Sequence, residues 1–209
     1  MSKKDNVFIV SLKLFAITAS VALLLSLINY FTKDVIEMQR GDKNDNAMHD
    51  VLNGDFEYTA LPPGDLGMDE NITAFYIAKK DGGIDEGYVV NVAYPGYDGD
   101  VSLVIGVSTD SKIMGIKVIE SNETPGIGAK VLDKKHLDTL KGLGLPLTFG
   151  NSGNFIPVTG ATITSNAVYN SIKAALDAVE IVKTSDSGVI VNPEDDSSLP
   201  AETDSELDS

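Results

Sequence analysis

Thr159-Gly160-Ala161-Thr162-Ile163-Thr164-Ser165 sets two small residues among four hydroxyl side chains, and an apolar periodicity follows at once. Val168, Ile172, Leu176 and Val179 recur at spacings of four, four and three, the apolar face of an α-helix running from Asn166 to Val179. Thr164 or Ser165 stands where the N-cap of that helix is expected. The first turn of such a helix has backbone N–H groups without intrahelical acceptors and the positive end of the helix dipole, which together suit a phosphate. Gly160 lets the backbone approach a bulky ligand closely. A hydroxyl cluster before a helix also serves as an ordinary cap, and that reading stands beside the first. The segment is no Walker loop, because it lacks the GxxxxGK[ST] pattern and its lysine.

Upstream of the helix the chain is β-rich. Thr73 to Ala78 alternates weakly, Gly87 to Tyr94 carries Tyr88, Val89, Val90 and Val92, Val101 to Ser108 carries Leu103, Val104, Ile105 and Val107, and Ile113 to Ile119 carries Ile116 and Val118. These runs are short, β-branched and bounded by turns at Asp81-Gly82-Gly83, Pro95-Gly96 and Ser108-Thr109-Asp110-Ser111. The short last turn predicts a hairpin. The expected fold class is α+β: an antiparallel sheet of at least the strands just named, with flanking helices. Ala129 to Leu140 reads as one or two short helices, Gly142 to Pro146 as a loop, and Leu147 to Phe149 and Phe155 to Val158 as strand fragments leading into the hydroxyl motif.

Val7 to Phe31 is strongly apolar apart from Lys13, and from Leu14 to Phe31 no charge occurs. That length approaches the roughly 20 residues that cross a hydrocarbon core. The run is longer than the apolar region of a signal peptide, and Asn29-Tyr30-Phe31-Thr32 makes a poor cleavage site. The expected organisation is a short N-terminus over 1–6, a transmembrane helix over 7–31, a helical stalk over 32–52 broken near Gly41, a folded domain over 53–184 and a disordered acidic tail over 185–209. Asn53-Gly54 reads as a stop, and Leu61-Pro62-Pro63-Gly64 as a loop. Basic residues lie on both sides of the apolar run and do not decide its orientation. The net charge of −15 argues against a nucleic-acid partner. The absence of cysteine excludes disulfides, thiolate metal sites and cysteine-bound iron–sulfur clusters. His49 and His136 form no HExxH pair and read as solvated surface residues.

Two loops carry further motifs. Tyr94-Pro95-Gly96-Tyr97-Asp98-Gly99-Asp100 joins two strands, and Ser121-Asn122-Glu123-Thr124-Pro125-Gly126-Ile127-Gly128 follows the last one. As bare turns, they are a Gly/Tyr loop and a Pro-Gly type II turn. Glu-Thr-Pro-Gly-Ile-Gly, the Gly-Tyr-x-Gly loop and the Thr-Gly-Ala-Thr motif resemble the signatures of the FMN-binding domain found in the G subunit of Rnf electron-transport complexes and in the C subunit of the sodium-pumping NADH:quinone reductase. The resemblance covers roughly residues 50 to 182. It departs at Ile156, where the fuller acceptor pattern often carries an aspartate.

The resemblance implies a membrane-anchored flavoprotein electron carrier, a subunit of an Rnf-type complex coupling ferredoxin:NAD electron transfer to ion translocation. FMN would be held covalently through a phosphoester to Thr162, which makes the chain a phosphoprotein in the chemical sense. Thr159, Gly160, Ala161, Thr164 and Ser165 would shape the phosphate end, with N–H groups near Thr164 to Asn166 meeting its charge. Glu123, Thr124, Gly126, Ile127 and Gly128 would line the isoalloxazine, and Tyr97 and Gly99 would close the pocket. The implied partners are other membrane subunits and a flavin transferase that uses FAD. The N-terminus would be cytoplasmic and the domain external. Two other readings stay open: a C-type subunit of the quinone reductase or stand-alone flavin carrier, and a cofactor-free surface-anchored binding module.

Overall fold

The computed structural model describes residues 3–80 and 84–186. The turn Asp81-Gly82-Gly83 and the tail beyond Asp186 lie outside the described residues.

The chain opens with one helix of 50 residues, α1 (Lys3–Leu52). Within it Phe8–Lys33 is an apolar run of 26 residues whose 18-residue window has a mean hydropathy of 2.3, and none of that window is buried by the rest of the chain. The expected break near Gly41 does not occur. A glycine costs a helix interior only about 1 kcal/mol against alanine, which is too little to stop a helix that continues on both sides. The helix ends at Leu52, where Asn53 takes a left-handed φ of 56° and Gly54 follows.

Five strands then form a single antiparallel meander in the order β1-β2-β3-β4-β5. They are β1 (Glu57–Leu61), β2 (Ile72–Lys80), β3 (Ile84–Pro95), β4 (Asp100–Ser108) and β5 (Ile113–Glu120). The four expected strands are present, with the β4–β5 hairpin, and β1 is an addition. It is an edge strand paired with β2, and the sequence Glu-Tyr-Thr-Ala-Leu keeps three of its five residues exposed, so it lacks the apolar signature of the others. The loop at Pro63–Leu66 is wound into a 3-10 turn. Two short helices follow β5, α2 (Gly128–Val131) and α3 (Lys134–Asp138), and the last helix is α4 (Thr162–Asp186). In place of the two expected strand fragments there is one parallel bridge, Phe149 to Phe155. Those two rings stack 5.7 Å apart, and Tyr169 of α4 packs edge-on against both.

The strand period of two sends alternate residues to opposite faces. Val101, Leu103, Ile105 and Val107 of β4 face α4, where Val168, Ile172, Leu176 and Val179 are fully buried against them. Val104 of β4, Val89 and Ala78 face the other way and pack on Ala47, Met48, Val51 and Leu52 at the end of α1. The domain is therefore three layers deep: the last turns of α1, the sheet, and α4. Gly106 and Gly115 are register partners across β4 and β5, and a Cβ on either would stand 2.8 Å from the Val51 carbonyl oxygen. The two glycines are a slot that lets the α1 backbone touch the sheet.

His136 is not the solvated residue expected. Its Nε2 is buried without a hydrogen-bond partner, and burial pushes the ring's pKa down from 6.5. His49 is exposed, with Nδ1 3.2 Å from the Asp55 carboxylate.

Candidate functional site

The turn between β3 and β4, the loop after β5 and the first turn of α4 converge at one end of the sheet. They enclose a cavity of ≈ 430 Å³. Tyr97 contributes from the first segment, Glu123, Thr124, Ile127 and Gly128 from the second, and Gly160 to Thr164 from the third. A volume of this size falls within the roughly 300–1,000 Å³ of small-molecule sites.

The first turn of α4 sets the polar end. The Ser165 N–H donates to the Ala161 carbonyl at 2.9 Å, so the cap position falls on Ala161 and the helix starts at Thr162. Neither Thr164 nor Ser165 caps it. Gly160, at φ 84°, turns the chain into the helix, and the Ala161 N–H is held by the Val158 carbonyl at 3.0 Å. The N–H groups that lack an intrahelical acceptor are consequently those of Thr162, Ile163 and Thr164, two residues earlier than expected.

The four hydroxyls of the motif have different surroundings. Thr164 is 1% exposed and donates from Oγ1 to Glu123 Oε2 at 2.9 Å. Ser165 is fully buried, and its Oγ accepts the Val158 N–H at 3.1 Å. Thr159 is exposed but does not line the cavity. Thr162 is exposed and lines it. Of the four, Thr162 alone presents a hydroxyl side chain both to solvent and to the cavity.

Glu123 holds the walls together. It is 9% exposed, its Oε1 accepts the Tyr97 N–H at 2.7 Å, and its Oε2 accepts the Thr164 hydroxyl. Among the described residues no cationic side chain lines the cavity, so an anion there would be met by N–H groups rather than by lysine or arginine. The rim is apolar and exposed: Tyr97 is 69%, Ile127 53% and Ile163 52% accessible. Ile163 is not among the residues expected at the site. The signal that marks it is an apolar side chain within the motif but off the Val168-Ile172-Leu176 stripe. Gly99, at φ 110°, accepts the Gly96 N–H at 2.8 Å and so closes the β3–β4 turn without lining the cavity. Gly126, at φ 86°, likewise shapes its loop from outside.

The cavity lies at the end of the sheet where α1 enters. Gly41 and Asn44 border a groove shared with Thr73, Ser102 and Glu120, whereas Val51, farther along α1, lies over Gly106 and Gly115.

The FMN-binding domain family matches residues 96–177. The chain is 34% identical over 195 residues to the G subunit of the Na(+)-translocating ferredoxin:NAD(+) oxidoreductase complex of Acetobacterium woodii, covering 83% of this chain and 92% of the relative. It is 31% identical over 187 residues to the G subunit of the ion-translocating oxidoreductase complex of Vibrio vulnificus, covering 81% and 86%. The corresponding G subunit of Methanosarcina acetivorans is 28% identical over 183 residues, covering 86% and 97%. Among solved structures, Shewanella oneidensis NqrC aligns at a TM-score of 0.41 and 24% identity over 51% of this chain and 60% of that one.

Proposed function

This chain belongs to the G-subunit family of ion-translocating oxidoreductase complexes, and on that premise we propose that it is a membrane-anchored flavoprotein electron carrier whose FMN is esterified to Thr162. The observation that carries the site is the fate of the motif's hydroxyls: Thr164 and Ser165 are buried and hydrogen-bonded inward, Thr159 lies off the cavity, and Thr162 alone both lines it and is exposed, at the start of α4. FMN, when bound, supplies the exchange of one or two electrons.

The residues fit that group. The N–H groups of Thr162, Ile163 and Thr164 and the positive end of a 25-residue helix offset the charge of a phosphodiester. Tyr97, Ile127 and Ile163 offer an apolar rim to a flat ring system. Electron transfer needs no general acid or base from the chain. Attachment does need an activated hydroxyl, and the Glu123 carboxylate at the cavity has both oxygens engaged. A separate flavin transferase is therefore part of the reading: it would supply the base that takes the Thr162 hydroxyl proton, and the Oγ1–phosphorus bond would form as the phosphoanhydride of FAD breaks and AMP leaves. The helix Phe8–Lys33 is the anchor, the N-terminus is cytoplasmic and the domain external. The partners are the other membrane subunits of a complex that moves electrons from ferredoxin to NAD and couples this to ion transport.

The test is in-gel flavin fluorescence of the denatured full chain, expressed together with an active flavin transferase. The wild type is expected to fluoresce, Thr164→Ala to fluoresce at the end point although it loads more slowly, and Thr162→Ala to be dark. A dark wild-type band beside a second substrate that the same transferase labels would end this reading.

A further inference from the structure

We infer that Glu123 is a positioning residue that builds the cofactor pocket before any flavin enters, by tying the β3–β4 turn to the first turn of α4. The flavin part of this inference rests on the function proposed above; the brace does not. The carboxylate is buried, and each oxygen has one donor from a different element: the Tyr97 N–H at 2.7 Å and the Thr164 hydroxyl at 2.9 Å. These donors are 26 and 41 residues away in sequence. Ser121 Oγ accepts the N–H of Glu123 itself at 3.2 Å, which holds the backbone behind the carboxylate. Two glycines make the slot. A Cβ on Gly96 would fall 2.1 Å from Oε1, and one on Gly128 2.3 Å from Oε2 and 3.0 Å from Thr164 Oγ1. The chain has thus cleared side-chain volume on both sides of this group, which pins it between the two elements it joins.

The consequence concerns Thr162. Thr164 and Thr162 are two residues apart on one helical turn, so they point about 200° apart around the axis. Drawing Thr164 onto Glu123 at the cavity wall sets the rotation of the first turn and leaves Thr162, which also lines the cavity, exposed to solvent. Glu123 acts through its length and its two hydrogen-bonding positions rather than through its charge. Glutamine reproduces both contacts: its oxygen accepts the Tyr97 N–H, and its amide donates to Thr164 Oγ1. Aspartate keeps the charge and loses the reach.

The experiment uses the full chain in detergent, with three readouts for wild type, Glu123→Gln, Glu123→Asp and Gly96→Ala. They are hydrogen exchange of the Tyr97 amide before loading, the rate of covalent flavin incorporation by the transferase, and the folded fraction. Glu123→Gln should load within about threefold of wild type, and Glu123→Asp and Gly96→Ala should load at least about tenfold more slowly per folded molecule with faster Tyr97 exchange, because a buried N–H loses its acceptor. Loading that survives in Glu123→Asp and fails in Glu123→Gln would assign the role to charge and overturn the inference. So would unchanged Tyr97 exchange in Glu123→Asp, or loading that simply follows the folded fraction. A wild type that never loads while Tyr97 exchange still responds to Glu123→Asp upholds the brace and removes the flavin reading instead.

Discussion

Thr162, Thr164 and Ser165 are chemically near-identical in the sequence, and only their burial separates them. The hydroxyl pattern points to the right turn of helix but puts the cap three or four residues late, because Ala161 has no side-chain oxygen to mark the position. The Glu-Thr-Pro-Gly-Ile-Gly segment singles out Glu123 by resemblance without its task, since the partners of the carboxylate are brought in by tertiary folding. His136 is a similar case: nothing local shows that its Nε2 is buried without a partner. That burial has a measurable effect. The ring's pKa is depressed from 6.5, so as pH falls below that value the unfolded chain binds a proton that the folded chain refuses, and stability drops. Asp138 acts in a lower window. Hydrogen bonds from Lys134 and Lys141 hold its pKa at about 2 against an ordinary 3.8, so its contribution is complete above 3.8 and is lost as pH falls toward 2. Thermal unfolding of the folded domain followed with pH should show both declines. His136→Leu should remove the upper one and leave the lower. An unchanged upper decline in that variant would assign it to another group.

At the scale of elements, the legible parts are those whose signal is local. The β-branched runs mark β2 to β5, and the four-four-three spacing marks α4. Alternation is weak in β4 because both of its faces are covered, one by α4 and the other by α1, so apolar residues run almost unbroken from Leu103 to Val107. The packing of α1 on the sheet is not legible, since Gly106 and Gly115 look like ordinary weak points in strands until their cross-strand pairing is known. Their use is steric, and the prediction follows from it. Gly106→Ala and Gly115→Ala each force a methyl to 2.8 Å from the Val51 carbonyl oxygen, and each should cost about 1–3 kcal/mol as overpacking. Gly41→Ala, where nothing lies within 4 Å of the added carbon, should be neutral or stabilising by up to about 1 kcal/mol through helix propensity. Chemical denaturation of the three variants decides this. Equal effects at positions 41 and 106 would mean that α1 does not rest on the sheet through the glycine slot.

For the whole molecule, the continuity of α1 turns local packing into orientation. The helix runs from the apolar span Phe8–Lys33, through Gly41 beside Ser102 and Glu120, to Val51 over Gly106 and Gly115. Moving back along it from Val51 leads out of the domain at the end of the sheet that holds the cavity. The stretch from Lys33 to Gly41 is about 12 Å of helix, so that end stands close to the membrane surface. The opposite end, at the β4–β5 turn, is about 30 Å farther along a nine-residue strand. A domain held this way turns its cavity end toward the membrane side, and the seating of α1 in its glycine slot limits how far the domain can turn away. The chain has no cysteine, so single labels can be placed without background. A fluorophore on Asp98→Cys, in the exposed turn beside the cavity, should be quenched strongly by a nitroxide on lipid headgroups when the full chain is in vesicles. The same fluorophore on Asp110→Cys, in the β4–β5 turn, should be nearly unaffected. Equal quenching at the two positions would show a domain that tumbles on its helix, and stronger quenching at 110 would place the cavity away from the membrane and require a partner that approaches from the aqueous side.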